Sequence, residues 1–257
     1  MAERQERGMN ERIQRLRRQS TETQPHIDME RAVLETEAYQ MYEGKVSVPE
    51  LRALTLKHIF SHKTLYIGDG ELIVGEKGAS PQAAPTFPEL CCHTLEDMHN
   101  MNDRKVVNFT VTEADLKTQE ETVIPYWTGR SMRERILGSM TGEWKDAYAA
   151  GIFTEFMEQR GPGHTVGSVK LYEKGYLDYQ EDIKAALAAL DYQTDPEALN
   201  RRDQLNAMSV ACDAIMILGK RYADLAREMA AECTDEKRKA ELLQIAANCD
   251  VEGVIIT

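Results

Sequence analysis

The sequence contains no run of eighteen apolar residues, so no segment reads as a membrane-spanning helix. Positive charge is in short supply. Thirty-one Lys+Arg against 43 Asp+Glu leave a formal net charge of −12 over 257 residues, which argues against the dense cationic surface that nucleic-acid phosphates or an anionic membrane would need. Neither nucleic acid nor membrane is therefore expected as a partner, and a small molecule or another protein is left. Cysteine is scarce and odd in number. Cys91, Cys92, Cys212, Cys233 and Cys249 show no disulfide-framework spacing, which fits a reducing cytoplasm. No C-x3-C-x2-C pattern is present to hold an iron–sulfur cluster. With 42% hydrophobic and 29% charged residues, the chain has the balance of an ordinary globular protein, without repeats or low-complexity tracts.

Charge is unevenly spread. Residues 1–20 hold six Arg and three Glu, a balance of +3, so residues 21–257 carry −15. Secretory signals need an apolar centre that Met1–Ser20 lacks, and transit peptides avoid acidic residues such as Glu3, Glu6 and Glu11. Residues 1–20 are read as a polar, solvated N-terminal helix, and residues 21–257 as the remaining unit.

Helix signals dominate that unit. Ser47-Val-Pro-Glu50 is a capping box with proline in the first turn, opening an amphipathic stretch through Leu51, Leu54 and His58. Thr194-Asp-Pro-Glu197 repeats the device ahead of the longest helical tract, Glu197 to about Glu232, whose apolar face is expected at Leu205, Met208, Ala211, Ile215 and Leu218. Further helices are expected at Met29–Tyr42, Glu113–Val123, Met132–Met140, Glu143–Ala150, Tyr179–Leu190 and Glu236–Ala247. One region differs. Thr64–Ile67 and Glu71–Val74 flank Gly68-Asp-Gly70, which predicts a hairpin or a strand entering a sheet. Gly75–Pro88 reads as a loop, so the fold class is mainly α with a short β element.

Several clusters invite a chemical reading. Cys91-Cys92-His93 with His99 resembles a metal site, but adjacent cysteines seldom reach one tetrahedral ion, so a structural role is the better account and no metal is assigned. His58 and His62 share a helical face, yet Ile59 stands where a zinc protease places glutamate. Glycines 68, 70, 75 and 78 lack the lysine and hydroxyl of a phosphate loop and serve turn geometry. Phe153–Arg160 followed by Gly161-Pro-Gly-His164-Thr165 is more suggestive. It sets His164 just past a helix end on backbone that can approach a ligand, with Phe156 and Arg160 four apart on one face. On pattern alone, a satisfied structural histidine remains the plainer reading.

Ile27–Tyr39, Gly70-Glu-Leu-Ile-Val-Gly-Glu-Lys-Gly78 and Pro88-Glu-Leu-Cys-Cys-His-Thr94 resemble the N-terminal region of glycyl radical enzymes of the pyruvate formate-lyase superfamily. Phe153–Thr165 and Ala211–Tyr222 most resemble its hydroxyproline-dehydrating branch. The resemblance runs from about Ile13 to Val251. It implies the N-terminal part of a ten-stranded α/β barrel wrapped in helices, acting on a hydroxyproline-like substrate as a lyase. It further implies that Phe156 packs on the substrate ring and that His164 lies near the departing hydroxyl as a catalytic acid. The partners implied are an S-adenosylmethionine-dependent iron–sulfur activase and a second copy in a homodimer, with no cofactor bound directly by these residues. No segment resembles the family's cysteine loop or its C-terminal glycine motif, so the expectation is an N-terminal portion that is inactive alone. The alternatives are another branch, such as a diol dehydratase, a decarboxylase or a formate acetyltransferase, and a non-catalytic helical scaffold that binds a full-length homologue.

Overall fold

The structure, a computed structural model, describes residues 10–153 and 169–250, with 171 and 172 as backbone only. Helices account for most of it. The first, α1 (Glu11–Glu22), starts at Asn10, whose side chain accepts from the Ile13 N–H at 2.9 Å. It buries no residue, but Arg12 pairs with Glu241 and Gln19 donates to the Tyr66 hydroxyl at 3.1 Å, so it is laid on the body by polar contacts.

After β1 (His26–Asp28), α2 (Glu30–Tyr42) and α3 (Val48–His62) form an antiparallel pair. The box at Ser47 is present. The Glu50 carboxylate accepts from the Ser47 amide at 3.2 Å and hydroxyl at 2.8 Å, meeting backbone donors that a helix start leaves open. The short strand β2 (Ala83–Pro85) pairs with β1 in parallel, His26 opposite Ala83 and Asp28 opposite Pro85, and Thr110 bridges to His26 on the far side of β1. Next come α4 (Leu95–Asp103), α5 (Glu113–Thr118), a π-helical turn at Gln119–Val123, α6 (Ile124–Trp127), α7 (Met132–Ser139) and α8 (Gly142–Ala149). The chain resumes with α9 (Lys170–Glu173), α10 (Tyr176–Ala188), α11 (Ala198–Glu232) and α12 (Glu236–Cys249).

Two apolar clusters carry the packing. In one, Ile27, Met29, Ala32 and Met98 close on Val123 and Trp127 beside the small sheet. In the other, Tyr222, Ala223, Ala226 and Ala230 of α11 meet Leu242, Ile245 and Ala246 of α12, with Ile67. Alanine lets two helix backbones approach closely, and its burial costs no side-chain entropy.

Three expectations are corrected. Residues 64–74 form no hairpin. Instead Arg238 of α12 donates to Gly68 O at 2.9 Å and Glu71 O at 2.7 Å, and Lys63, at the end of α3, donates to Glu76 O at 2.6 Å and Lys77 O at 3.0 Å just beyond the segment. These carbonyls are satisfied without a ladder, and the β element is the β1–β2 pair, of which β2 at 83–85 lies inside the stretch expected to be loop. Thr194 does not cap α11. Its hydroxyl and amide bond to Asp191, the Glu197 amide bonds to Asp195, and the helix starts at Ala198 without a side-chain cap. Along the first half of α11 the buried residues include Ala207, Cys212 and Ala214, whereas Met208, expected on the apolar face, is exposed.

Candidate functional site

Phe156, Arg160 and His164, the residues expected to face substrate, lie outside the described residues. Their flank at Phe153 packs edge-on against Trp144, ring centroids 5.1 Å apart.

Among the described residues, polar chemistry converges on the Pro88–Thr94 motif. The segment leaves β2, crosses the start of α2 and enters α4, where Thr94 and Asp97 form a reciprocal cap at 2.9 and 3.1 Å. Its first half is fixed by Arg31. This guanidinium grips Glu89 with both arms, Nη1 to Oε2 at 3.1 Å and Nη2 to Oε1 at 2.7 Å, donates to Thr86 O at 3.2 Å and lies 4.0 Å over the Phe87 ring. A bidentate, stacked arginine restricts both partners more tightly than a lysine could. The carbonyls of Glu89 and Leu90 accept the amides of Met132 and Arg133 at 2.9 and 3.0 Å, tying the segment to α7.

The second half faces an open cavity of about 900 Å³. Ile27, Phe87, Leu90, Met101 and Phe109 give it an apolar side, and His93, Asn100, Arg104 and Arg133 a polar one. Burial lowers the His93 pKa from its usual value, against the pull of Asp97, which favours the neutral ring. Burial also pushes the Cys92 thiol up to about 11, so it is a protonated packing group rather than a nucleophile. The buried Gln119 amide donates to His93 O at 2.6 Å, tying the second half to the π-helical turn. Among the described residues, no three His, Cys, Asp or Glu side chains come together as a metal site. His58 instead meets Glu37 at 3.1 Å, and His62 Nδ1 lies 2.8 Å from His58 O.

Sequence reasoning did not single out Arg31, Glu35 or Glu89. Within Glu30-Arg-Ala-Val-Leu-Glu35 the i, i+4 pair looks like an ordinary surface ion pair. Only the return of the chain at Glu89 makes it a junction.

Residues 9–252 match the family described as Pyruvate formate lyase-like. Trans-4-hydroxy-L-proline dehydratase of Clostridioides difficile is 55% identical over 245 residues, covering 95% of this chain and 31% of that protein. The crystal structure of hydroxyproline dehydratase from Clostridioides difficile with substrate trans-4-hydroxy-L-proline bound superposes with a TM-score of 0.91 at 54% identity, over 96% of this chain and 31% of the other. The glycerol-bound B12-independent glycerol dehydratase from Clostridium butyricum follows at a TM-score of 0.87 and 31% identity, over 96% of this chain and 31% of the other. The chain thus spans 31% of the length of these relatives.

Proposed function

The chain belongs to the pyruvate formate lyase-like family, and we propose that it forms a substrate-pocket wall of a glycyl radical dehydratase that converts trans-4-hydroxy-L-proline to pyrroline-5-carboxylate. The observation that carries this reading is the gap between two kinds of likeness. The backbone superposes almost equally on both dehydratase structures, at TM-scores of 0.91 and 0.87, whereas identity falls from 54% to 31%. Cores tolerate hydrophobic exchange while a fold is kept, so identity well beyond what the fold requires favours a shared substrate.

In this reading Phe156 packs on the pyrrolidine ring and His164 donates a proton to the departing hydroxyl. Hydroxide is a poor leaving group, and a positioned acid lowers the barrier to its loss. Hydrogen abstraction next to the ring nitrogen is supplied by a glycine-centred radical and a cysteine, in motifs that this sequence does not contain. An S-adenosylmethionine-dependent iron–sulfur activase, a homodimeric state and an anaerobic cytoplasm complete the proposal. Residues 1–20 are taken as a polar N-terminal segment that carries most of α1 (Glu11–Glu22), and residues 21–257 as the N-terminal portion of the pyruvate formate lyase-like domain.

A chimera provides the test. This sequence replaces the matching part of the Clostridioides difficile enzyme, and the protein is activated anaerobically and offered trans-4-hydroxy-L-proline or glycerol. Pyrroline-5-carboxylate from the first and no product from the second are expected, and the 257-residue chain alone should give neither. A radical-loaded chimera that dehydrates glycerol would favour the diol dehydratase branch, and one that turns over nothing would favour a non-catalytic scaffold.

A further inference from the structure

The junction between α2 and the Thr86–Leu90 segment holds more negative charge than its cation can balance. Arg31 and Glu35 lie one turn apart on α2, and Glu89 comes from the segment. The guanidinium arms point at Glu89 and the Thr86 carbonyl. Glu35 Oε2 lies 2.9 Å from Arg31 Nη2, yet it is buried and lacks a hydrogen-bond partner, because that arm is aligned on Glu89. Of the other groups that act on Glu35, Arg52 of α3 is exposed and weakly attractive, and Tyr39 of α2 is a neutral phenol whose own ionisation is disfavoured by burial and by Glu35. A buried carboxylate in this setting is costly unless it is paired and hydrogen-bonded.

We propose that Arg31, Glu35 and Glu89 form a proton-controlled clamp: when Glu35 takes up one proton from solvent, its buried charge disappears, the guanidinium is left to Glu89 alone, and α2 and the segment close more firmly. Burial is the main force raising the Glu35 pKa from 4.5 to about 7, with Glu89 adding to it and Arg31 opposing. The sign follows from linkage. A carboxyl group whose pKa is raised in the closed state favours closure while it is protonated and opposes it once ionised, so the clamp weakens as pH rises from 4.5 to about 7. The effect reaches beyond the triad. Thr86, Phe87 and Leu90 line the 900 Å³ cavity, and the Glu89 and Leu90 carbonyls hold the first turn of α7.

Hydrogen exchange at the Cys91, Met132 and Arg133 amides reads the junction directly, in the 257-residue chain and its Glu35→Gln variant. Taking the ratio of the two proteins at each pH cancels the intrinsic pH dependence of exchange. The ratio of wild-type to variant exchange should rise about tenfold or more between about pH 5.5 and about pH 8.5. A ratio that does not change with pH would overturn the clamp. Difference infrared spectroscopy gives a readout that does not depend on the stability of the variant. A protonated carboxyl band should be present at about pH 5.5, fade by about pH 8.5 and be missing from Glu35→Gln. Its absence from the wild type would equally overturn the proposal.

Discussion

The indole N–H of Trp127 donates to the Thr36 hydroxyl at 2.9 Å, and that hydroxyl donates in turn to Ala32 O at 2.7 Å. Both side chains are buried, and Tyr39 packs edge-on against the indole at 4.8 Å. One hydroxyl therefore serves as acceptor and donor where α2 meets α6. Thr36→Val keeps the shape and removes the acceptor, leaving a buried indole N–H unpaired. A loss of about 1–3 kcal/mol is expected in chemical denaturation. A variant as stable as the wild type would mean that the indole finds another acceptor.

Two glycines should respond in opposite directions. A Cβ on Gly78 would come within 2.5 Å of Ala83 Cβ and 2.8 Å of Asp28 Oδ2, where β2 and the loop before it crowd β1. Gly78→Ala should cost about 1–3 kcal/mol through forced displacement. A Cβ on Gly138, in α7, meets nothing within 4 Å. Gly138→Ala should stabilise by up to about 1 kcal/mol through helix propensity. Thermal melts of the two variants check both signs.

Glu50 links the start of α3 to α11. Besides its bonds to Ser47, its carboxylate accepts from Asn206 Nδ2 at 3.2 Å. The Ser47 hydroxyl bond chiefly lowers its pKa below 4.5, with help from Asn206. A lowered acid contributes stability that is present above the unfolded value and lost as pH falls through the folded one. Glu50→Gln should therefore cost about 0.5–1 kcal/mol near neutrality, and the gap to wild type should close once both are held well below pH 4.5. A gap that is constant with pH would assign the effect to shape rather than charge.

In a full-length enzyme carrying this sequence, His164→Gln should lower turnover by about 10²-fold or more, the usual scale for a lost general acid. The glycyl radical signal should be unchanged. Steady-state rates read against electron paramagnetic resonance separate the two effects, and an unaltered rate would return His164 to a structural role.

Local features of the fold were legible in the sequence because their causes are local. The Ser47 and Glu50 cap is completed within one turn, and α11 needs little beyond a long helix-forming tract. The acidic balance and the absence of an apolar run also belong to the sequence, as do the motifs that place the chain in its family. What lay outside its reach depends on residues far apart in the chain. Two strands of three residues, β1 and β2, show no alternation long enough to detect. The apolar runs at 64–74 look like a hairpin, but Lys63, Arg221 and Arg238 hold carbonyls along Phe60–Lys77, and Leu72 and Ile73 are left exposed. Arg31 illustrates the same division. Sequence alone set it one turn from Glu35, whereas tertiary structure brought Glu89 beneath both arms of its fork and turned a surface pattern into a buried charge junction. Pairing and desolvation are set by neighbours in space, and those neighbours exist only once the chain has folded.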